Sequence, residues 1–439
     1  MKLSYKEDSE NLLTELNHFI PSAGADENVS SVVSKILSDI KSGGDEAVLA
    51  KTAQFDGVNF TAAELKVCDE ELNNAGSRLS SEEKTALEEA IANITYFHQQ
   101  SLPKDWQGTN MHNGIVGERN YPIGRVGVYV PGGHVPLVST VVMTVTLAKV
   151  AQVPEIVVVT PPGKDGKVAD QLLAALQLLG ISEVYKIGGA QAIGALAYGT
   201  ESINPVDKIF GPGNAFVNEA KRLVFGRVGI DLLPGPSEVM VIADKTANPE
   251  WVAAALLAQA EHGSGKEKIY LLFEDSTMFE KIASEIEKQI VKLTHSSAIE
   301  FVLRKGFFAV FLNNRERISE VANYIAPEHL ELQVSDDNCE FYLTNITTAG
   351  AFLVGHQTAT SVGDFAAGPS HVLPTGRSSR FSSGLRIQDF MRRSSIIKYD
   401  FEASKNARAV VEAFSKMENL DGHGNAHLLR LGSFLPKEN

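Results

Sequence analysis

Cysteine is scarce in this sequence. Its 439 residues include only Cys68 and Cys339, which excludes a disulfide scaffold and any zinc or iron–sulfur site built from several thiolates. Both cysteines lie in charged segments, KVCDEE and DDNCEF, and neither has the surroundings of an activated thiol. We therefore expect a protein of the reducing cytoplasm that does not rely on cysteine chemistry.

Long apolar runs and an excess of positive charge are also missing. No segment has about 18 consecutive apolar residues, so we expect no membrane span. The first residues, MKLSYKEDSENLL, contain no apolar signal core, and we expect no secretion signal. The formal net charge of −14 argues against a nucleic-acid partner, because phosphate backbones require a basic surface.

The order of apolar runs predicts an α/β fold. From Val126 onwards, short apolar runs alternate with helical segments, and glycine-rich turns follow several of the runs. Such runs indicate parallel strands buried on both faces. Ligands in open α/β sheets bind at the carboxyl ends of the strands. The predicted strands are VGVYV (126–130), EIVVVT (155–160), EVYKI (183–187), DKIF (207–210), KIYLLF (268–273), GFFAVFL (306–312) and AGAFLVG (349–355).

The chain is too long for one hydrophobic core, and the strand pattern predicts one sheet inserted into another. We predict a short helical arm at 1–25 and a discontinuous domain at 26–128 plus 240–384. The inserted domain spans 129–239. The remaining segment, 385–439, reads as helical, with no strand runs. Further helices are predicted over about 28–42 and 81–100.

The segment LLAQAEHG (256–263) ends a predicted helix with two polar side chains. Asn248 and Pro249 are suitable residues to begin this helix, and Gly263 can end it. Gln259 and His262 are three positions apart, so both project from the same side of the last turn.

Glycine-rich turns follow four of the predicted strands. None of them matches GxGxxG followed by an acid about 20 residues later, and GPGNAF (211–216) comes nearest. One interpretation is that these are only tight turns of an α/β sheet. The other is a phosphate-bearing or dinucleotide ligand, since backbone N–H groups at such turns bind anions.

Four histidines lie near apolar runs or glycines and have a carboxylate close in sequence. Each one alone is better explained by a structural role. Together, in a chain without structural cysteines, they favour a metal site, because zinc accepts nitrogen and oxygen ligands. The four are His262, His329, His371 and His423.

The adjacent pair Glu328-His329 suggests acid–base chemistry. A histidine can accept a proton near neutral pH, and a carboxylate can activate water or orient the ring. Pro327 biases Ala326 away from the helical conformation, so we expect the pair at a helix end before strand LELQV. The alternative is a helix-capping glutamate next to a surface histidine.

Seven motifs together resemble the histidinol dehydrogenase family, from about residue 25 to 430. The resemblance implies two incomplete Rossmann-like domains with small helical N- and C-terminal domains. It also implies a cytoplasmic homodimer with shared active sites. The motifs are YVPGGHVPLVSTVVM (129–143), IGGAQAIGALAYGTESINPVDKIFGPGNAFV (187–217), GPSEVMVIAD (235–244), LLAQAEHG (256–263), APEHLEL (326–332), GDFAAGPSHVLPT (363–375) and ENLDGHGNA (418–426).

The resemblance implies one zinc ion per subunit and NAD as the cofactor. In the family, zinc holds the imidazole and amino nitrogens of the substrate and does no redox chemistry. The implied zinc ligands are Gln259, His262, Asp364 and, from the other subunit, His423. The implied substrate contacts are Ser237, His329, His371 and Glu418 together with those ligands. The implied NAD contacts are Tyr129, Gln191 and Asn214.

The implied activity is a four-electron oxidation of L-histidinol to L-histidine through bound L-histidinaldehyde. His329 takes a proton in each of the two hydride transfers to NAD, and Glu328 activates water in between. A cysteine thiohemiacetal would be the alternative for the second oxidation. His134 and the segments 263–268 and 376–386 receive no role.

Three rival functions remain open at the sequence level. A dehydrogenase of the same family could act on another polar amino alcohol. A zinc hydrolase could use Glu328 to activate metal-bound water, although the HExxH pattern is absent. A non-catalytic nucleotide-binding protein would bind NAD without needing Glu328 or His329.

Overall fold

The computed structural model describes residues 3–20, 27–132, 137–262 and 265–433. The chain divides into two compact units. The larger unit comprises residues 1–101 and 123–390, and the smaller unit comprises residues 102–122 and 391–439. Within the described residues, the helices are too short or too polar to cross a membrane.

Strands and helices alternate through most of the larger unit. The strands are β1 (Tyr5–Glu7), β2 (Trp106–Thr109), β3 (Ile115–Pro122), β4 (Arg125–Tyr129), β5 (Glu155–Thr160), β6 (Val184–Lys186), β7 (Lys208–Phe210), β8 (Gly229–Ile230), β9 (Glu238–Ala243), β10 (Lys268–Phe273), β11 (Phe307–Phe311), β12 (His329–Gln333), β13 (Ala351–Val354) and β14 (Met391–Lys398). The helices are α1 (Leu12–Phe19), α2 (Glu27–Asp56), α3 (Ala62–Leu65), α4 (Asp69–Ala75), α5 (Ser81–Gln99), α6 (Val138–Val150), α7 (Asp170–Leu178), α8 (Gly189–Tyr198), α9 (Ala215–Val224), α10 (Pro249–Ala260), α11 (Ser276–Ile290), α12 (Ser296–Gly306), α13 (Arg315–Ile325), α14 (Asp336–Asn345), α15 (Thr360–Phe365), α16 (Phe401–Met417) and α17 (Asp421–Leu428).

The first sheet has the strand order β1-β11-β10-β9-β12-β13, and every pairing in it is parallel. Its central strands β9, β10 and β12 are almost wholly buried, which agrees with their apolar sequences. The predicted strands around 268–273, 306–312 and 349–355 are confirmed. In register, Val239 of β9 lies between Ile269 of β10 and His329 of β12.

The N-terminal arm is helical only in part. Helix α1 is preceded by β1, which pairs with the edge strand β11. The ring of Tyr5 packs 5.3 Å from Phe273 and 4.9 Å from Phe279, measured between ring centroids. A three-residue strand gives no periodicity to read, so the sequence predicted only a helix here.

The second sheet has the strand order β6-β5-β4-β7-β8, again with parallel pairings only. Taking β4 as the first strand, this is the 3-2-1-4-5 order of a Rossmann sheet. The α/β class and the Rossmann-like character of this region are thereby confirmed. The residues that form the sheet are contiguous in sequence, from Arg125 to Ile230.

Helix α2 packs on the second sheet's side, which differs from the predicted grouping of 26–128 with the first domain. Leu37 and Ile40 approach Gly194 of α8 so closely that a methyl group there would lie 3.2–3.3 Å from them. The helix bends at Gly44 (φ +51°), and the next residue, Asp45, donates its N–H to Glu201 at 2.7 Å. Sequence periodicity shows that α2 has an apolar face, but not which sheet receives it.

The smaller unit contains an antiparallel sheet of order β14-β3-β2 with helices α16 and α17. The expectation that 385–439 has no strand is wrong, because β14 pairs with β3 along its whole length. This strand, MRRSSIIK, is half-exposed or exposed throughout and therefore lacks an apolar run. An ion pair between Arg393 and Glu118 joins the two strands.

Candidate active site

The pair Glu328-His329 lies at the amino end of the first sheet. Helix α13 ends at Ile325, Ala326 adopts a left-handed conformation (φ +51°), and β12 begins at His329. Both members of the pair are buried, with 6% and 7% of their surface exposed. The expectation of a helix end before LELQV is confirmed, and the alternative of a surface histidine is wrong. The expectation that ligands bind at the carboxyl ends of the strands therefore does not hold for this pair, which lies at the amino end.

A single residue, Glu238 at the start of β9, contacts both members through its backbone. Its N–H donates to Glu328 Oε2 at 2.7 Å. Its carbonyl oxygen lies 3.3 Å from His329 Nδ1, so that nitrogen carries the hydrogen. The other ring nitrogen, Nε2, lies 3.3 Å from Asp364 Oδ1. The backbone of β9 therefore fixes the imidazole with Nε2 directed at Asp364.

Burial, and to a lesser extent the charge of a neighbouring carboxylate, raises the pKa of both glutamates in this cluster. Burial raises the pKa of Glu328 to about 7. Burial, and then the charge of Glu328, raises the pKa of Glu238 to about 8. Glu238 accepts a hydrogen bond from Gly376 N–H at 3.2 Å, whereas its Oε2 has no partner within the described ranges. We call Glu238, Glu328, His329 and Asp364 the acid–base cluster.

The imidazole of His329 is stabilised in its charged form. Burial lowers its pKa, but the charges of Glu328 and Asp364 more than compensate and raise it to about 9. Burial would raise the pKa of Asp364, but the hydrogen bond and charge of His329 lower it below its ordinary value. The imidazole and Asp364 thus form an ion pair in the protein alone.

Asp364 also interacts with His371 and His262, two of the residues expected around it. His371 Nδ1 donates to the backbone oxygen of Asp364 at 3.1 Å. Both His371 and His262 act electrostatically on the Asp364 carboxylate. Burial lowers the pKa of His371, which favours a neutral ring. Asp364, His262, His329 and His371 therefore form one neighbourhood, as expected from the sequence.

Gln259 contributes a buried amide to α10, the helix that precedes His262. It is 3% exposed, and its Nε2 has no hydrogen-bond partner in the described part of the chain. The two atoms of an amide head are distinguished only by their hydrogen bonds, so this head can equally present its oxygen. His262 itself is exposed, with Nδ1 3.2 Å from the Gln259 backbone oxygen.

Glu418 and His423 lie in the smaller unit, where both are exposed. Within the described residues, no three His, Cys, Asp or Glu side chains are grouped so as to hold a metal ion. The expected zinc set differs from such a group, because it uses the amide of Gln259 and takes His423 from a second subunit. The amide of Gln259, whose Nε2 has no partner among the described residues, lies one helical turn before His262 and is compatible with that set.

Ser237 directly precedes Glu238 and is half-buried. The sequence did not single out Glu238, although a signal was present. A glutamate at the first position of the apolar run EVMVIA is unusual, because a buried strand without a functional partner rarely begins with a charge.

A second site lies at the carboxyl end of the second sheet. A cavity of about 920 Å³ is lined by Tyr129, Gln191 and Asn214, the three residues expected to contact NAD. Tyr129 ends β4, and its hydroxyl accepts a hydrogen bond from Gly189 N–H at 3.2 Å. Asn214 caps α9 through bonds from Phe216 and Val217 N–H at 3.0 and 3.1 Å. We call this space the second-sheet cavity.

Three residues that line this cavity each carry a buried polar atom without a partner among the described residues. They are Asp56 Oδ2, Thr160 Oγ1 and Gln191 Nε2. Buried polar atoms are normally hydrogen-bonded, so these three indicate a polar ligand. The sequence did not single out Asp56 or Thr160, since nothing in the local pattern around them shows that they meet.

A buried ion pair connects the turn after β7 to the segment that leads to Ser237. Lys221 is fully buried and ion-paired with Asp231. It also donates to the backbone oxygens of Gly211 and Leu232 at 2.9 and 2.8 Å. Asp231 in turn accepts from Gly211 N–H at 2.7 Å. The ion pair of Lys221 and Asp231 thus connects the turn that carries Asn214 to the segment before Ser237.

His134 and residues 263–264 lie outside the described residues, so the structure assigns nothing to them.

The fold and these two sites define an α/β enzyme with a buried acid–base centre and a separate ligand cavity. The histidinol dehydrogenase family model matches residues 21–431. Histidinol dehydrogenase of Rhizobium meliloti (strain 1021) is 41% identical over 405 residues, covering 92% of each protein. That of Geobacillus kaustophilus is 41% identical, covering 93% of this chain and 95% of the relative.

The crystal structure of histidinol dehydrogenase from Elizabethkingia anophelis has the same fold. Its TM-score is 0.92 at 34% identity, and the match covers 98% of both chains. The chain belongs to the histidinol dehydrogenase family and is therefore an oxidoreductase.

Proposed function

We propose that this protein oxidises L-histidinol to L-histidine in the last steps of histidine biosynthesis, with NAD as the hydride acceptor and zinc as the metal. Family membership supports the reaction. The observation that carries the chemistry is the buried pair Glu328-His329, held by the backbone of Glu238 with Asp364 at the free ring nitrogen.

His329 is the base of both oxidations. In the first, His329 Nε2 takes the hydroxyl proton of the alcohol while the carbinol carbon gives a hydride to NAD. An imidazole paired with Asp364 is already protonated, so this role requires the Asp364 carboxylate to be engaged by another cation. A metal ligand role for Asp364 supplies that condition.

Gln259, His262 and Asp364, with His423 of a second copy, would hold the zinc. Bound zinc would bring open coordination positions for substrate nitrogens, and no redox chemistry. The amide of Gln259 supports this, because its buried Nε2 has no hydrogen-bond partner among the described residues. His371 and Ser237 would contact the substrate from one chain, and Glu418 from the other.

Glu328 is suited to the second oxidation. Its carboxyl is buried and has a pKa raised to about 7, which suits a group that takes a proton from water and returns it. Water added to the aldehyde carbon gives the hydrate, which loses a hydride to a second NAD and a proton to His329. The net change is four electrons to two NAD and one oxygen atom from water.

The cysteine alternative has no structural support. Cys339 is buried, and burial raises the pKa of its thiol. Its Sγ contacts the Val334 backbone oxygen at 3.7 Å. Cys68 caps α4 through its sulfur. Neither thiol belongs to the acid–base cluster, so water activation by Glu328 is the better account.

The test is the yield of NADH per L-histidinol consumed, with zinc present and after chelation. We expect two NADH per substrate, loss of turnover on chelation and recovery with zinc. One NADH would indicate an alcohol dehydrogenase that releases its aldehyde. No NADH, with turnover of other amino alcohols, would identify a different substrate, and product formed without NAD would identify a hydrolase.

Shared sites in a homodimer are tested with mixed dimers of two inactive variants. Chains carrying His262→Ala and chains carrying His423→Ala are each expected to lose zinc. If each site uses His423 from the partner, mixing the two should restore a minority of intact sites. No recovery would mean that each site is built within one chain.

A further inference from the structure

The Rossmann order of the second sheet comes without the usual acidic residue. In such sheets, a carboxylate after the second strand binds the ribose hydroxyls of the adenosine half of NAD. The corresponding strand here is β5, which lies next to β4 in the sheet. It ends at Thr160 and continues as Pro161-Pro162-Gly163. The end of the strand therefore offers no carboxylate, and Asp165, five residues further along the loop, is exposed.

Another element brings a carboxylate to the same place. Asp56 is the last residue of α2, and it lines the second-sheet cavity together with Thr160. The residues after it pack against the loop that follows β5. A methyl group placed on Gly166 of that loop would lie 3.4 Å from Val58 and 3.2 Å from Phe60. The end of α2 is thus fixed beside the end of β5.

The Asp56 carboxyl has the properties of a hydroxyl-binding group. Its Oδ2 is buried and has no partner in the residues that the structure describes, and the same is true of Thr160 Oγ1. Burial raises the pKa of Asp56 to about 6, so it is still mainly ionised at neutral pH. An ionised carboxylate only accepts hydrogen bonds, and the two neighbouring hydroxyls of a ribose can both donate to it.

We propose that Asp56 selects a coenzyme with a free ribose 2′-hydroxyl, taking the place of the acid that the sheet lacks. This inference rests on the proposed use of NAD. A 2′-phosphate would meet the Asp56 carboxylate and be repelled by it. Lys164 and Lys167 also line the cavity and carry the charge that would pair with a phosphate. A comparison of NAD⁺ and NADP⁺ binding therefore distinguishes a 2′ position that faces Asp56 from one that faces these lysines.

The experiment is calorimetric titration of the full-length protein with NAD⁺ and with NADP⁺, in the absence of histidinol. We expect the unchanged protein to prefer NAD⁺. Asp56→Asn should weaken NAD⁺ binding by about ten- to a hundredfold, as expected for loss of a hydrogen bond to a charged group. It should narrow the NAD⁺/NADP⁺ preference by a similar factor.

Asp165→Asn is the matched control. Asp165 lines the same cavity and undergoes the same change of charge, but it is exposed and its Oδ1 already accepts Lys167 N–H at 3.1 Å. It should leave the preference unchanged. Because the preference is measured within one variant, a partly unfolded sample does not alter it.

The outcomes separate this inference from the proposed function. If the unchanged protein binds NAD⁺ and Asp56→Asn keeps the preference, Asp56 does not select the coenzyme, while the proposed use of NAD stands. An equal effect of Asp165→Asn would also overturn the role of Asp56, since it would show a general effect of charge. If the unchanged protein binds neither dinucleotide, the proposed cofactor itself is wrong.

Discussion

The two parallel sheets of the larger unit present their polar groups in opposite ways. At the amino end of the first sheet, Glu328, His329 and Asp364 are bonded to one another or to the backbone. At the carboxyl end of the second sheet, Asp56 and Gln191 line a cavity with buried polar atoms that have no partner in the described residues.

Under the proposed function, this difference separates groups that take part in the reaction from groups that bind the cofactor. Catalytic side chains must be held in position before the substrate arrives, so the fold supplies their partners. Cofactor-binding groups receive partners from the cofactor, and their unpaired state is a cost to the protein alone. Gln259 lies one helical turn before His262, and its amide nitrogen has no partner among the described residues, which agrees with its proposed role as a metal ligand.

The largest expected effect comes from removing the base of the first site. His329→Asn should slow both oxidations by about 10²-fold or more, because both require proton transfer to this ring. The NAD affinity should remain, since the second-sheet cavity is untouched. Rates with histidinol and with added histidinaldehyde are measured separately. Near-normal turnover of either substrate would contradict the assignment.

Glu328→Gln should slow the two oxidations to different extents. The glutamine oxygen can still accept the hydrogen bond from Glu238 N–H, so His329 stays in position. The loss of the Glu328 charge lowers the pKa of His329 for both oxidations, whereas the activation of water is lost only in the second. The oxidation of added histidinaldehyde should therefore slow by at least tenfold more than the oxidation of the alcohol. An equal loss in both steps would show that Glu328 orients His329 instead of activating water.

A pair of matched substitutions compares the unpaired amides of the two sites. Gln191→Met should weaken NAD binding by about tenfold and leave the zinc content unchanged, because one ligand hydrogen bond is lost. Gln259→Met should lower the zinc content and leave NAD binding unchanged. The two readouts are calorimetry with NAD and bound metal per chain. If Gln191→Met lowered the zinc content and Gln259→Met weakened NAD binding, the two sites would be wrongly assigned. The same conclusion would follow if neither variant changed its readout.

The stability of these two variants tests whether the amide nitrogens of Gln191 and Gln259 are unpaired in the ligand-free protein. A methionine replaces the amide with an apolar group of similar length, and no protein hydrogen bond of the unpaired nitrogen is broken. We expect the free energy of unfolding of the ligand-free protein to be unchanged or slightly higher. A loss of several kcal/mol would reveal partners that the unpaired atoms lack in this structure.

A further effect, on stability alone, concerns an unpaired group outside both sites. His98 on α5 is 2% exposed, and neither ring nitrogen has a partner within the described residues. Burial lowers its pKa from 6.5 to about 4, so the unfolded chain takes up a proton between these values and the native one does not. Stability should therefore fall as the pH drops from about 6.5 to 4.

His98→Gln should remove that contribution, which amounts to at most about 1.4 kcal/mol per pH unit. Denaturant unfolding at several pH values between 4 and 7 measures the slope. If the variant and the unchanged protein have the same slope, the ring is paired or hydrated in solution, and His98 does not belong with the unpaired groups.

Local patterns were sufficient to predict the buried strands and to single out the pair Glu328-His329. Runs such as KIYLLF and EIVVVT are apolar on both faces, and Glu328 and His329 are adjacent in sequence. The resemblance supplied Gln259, His262 and Asp364, of which the structure places Asp364 against His329 and His371. These features could be predicted because each depends either on residues that are near in sequence or on a motif long enough to be recognised.

The remaining features depend on partners far apart in sequence. Strand β14 has no apolar run, because its side chains stay largely exposed, and only its pairing with β3 reveals it. Asp56 becomes significant only when the end of α2 meets the loop after β5. The position of Glu328-His329 at the amino end of the first sheet follows from the register of β12 with β9, which no local pattern contains.

Strand β1 has a consequence for how the chain reaches this structure during synthesis. Tyr5 pairs with Ala309, so β1 can join its sheet only after β11, the fourth of the six strands in chain order, has been synthesised. The second sheet, by contrast, comes from one continuous stretch of chain between Arg125 and Ile230. Because contacts between distant residues form late, we expect the second sheet to fold first on the nascent chain. The first sheet, and with it the acid–base cluster, can be completed only after β11 and β12 have emerged.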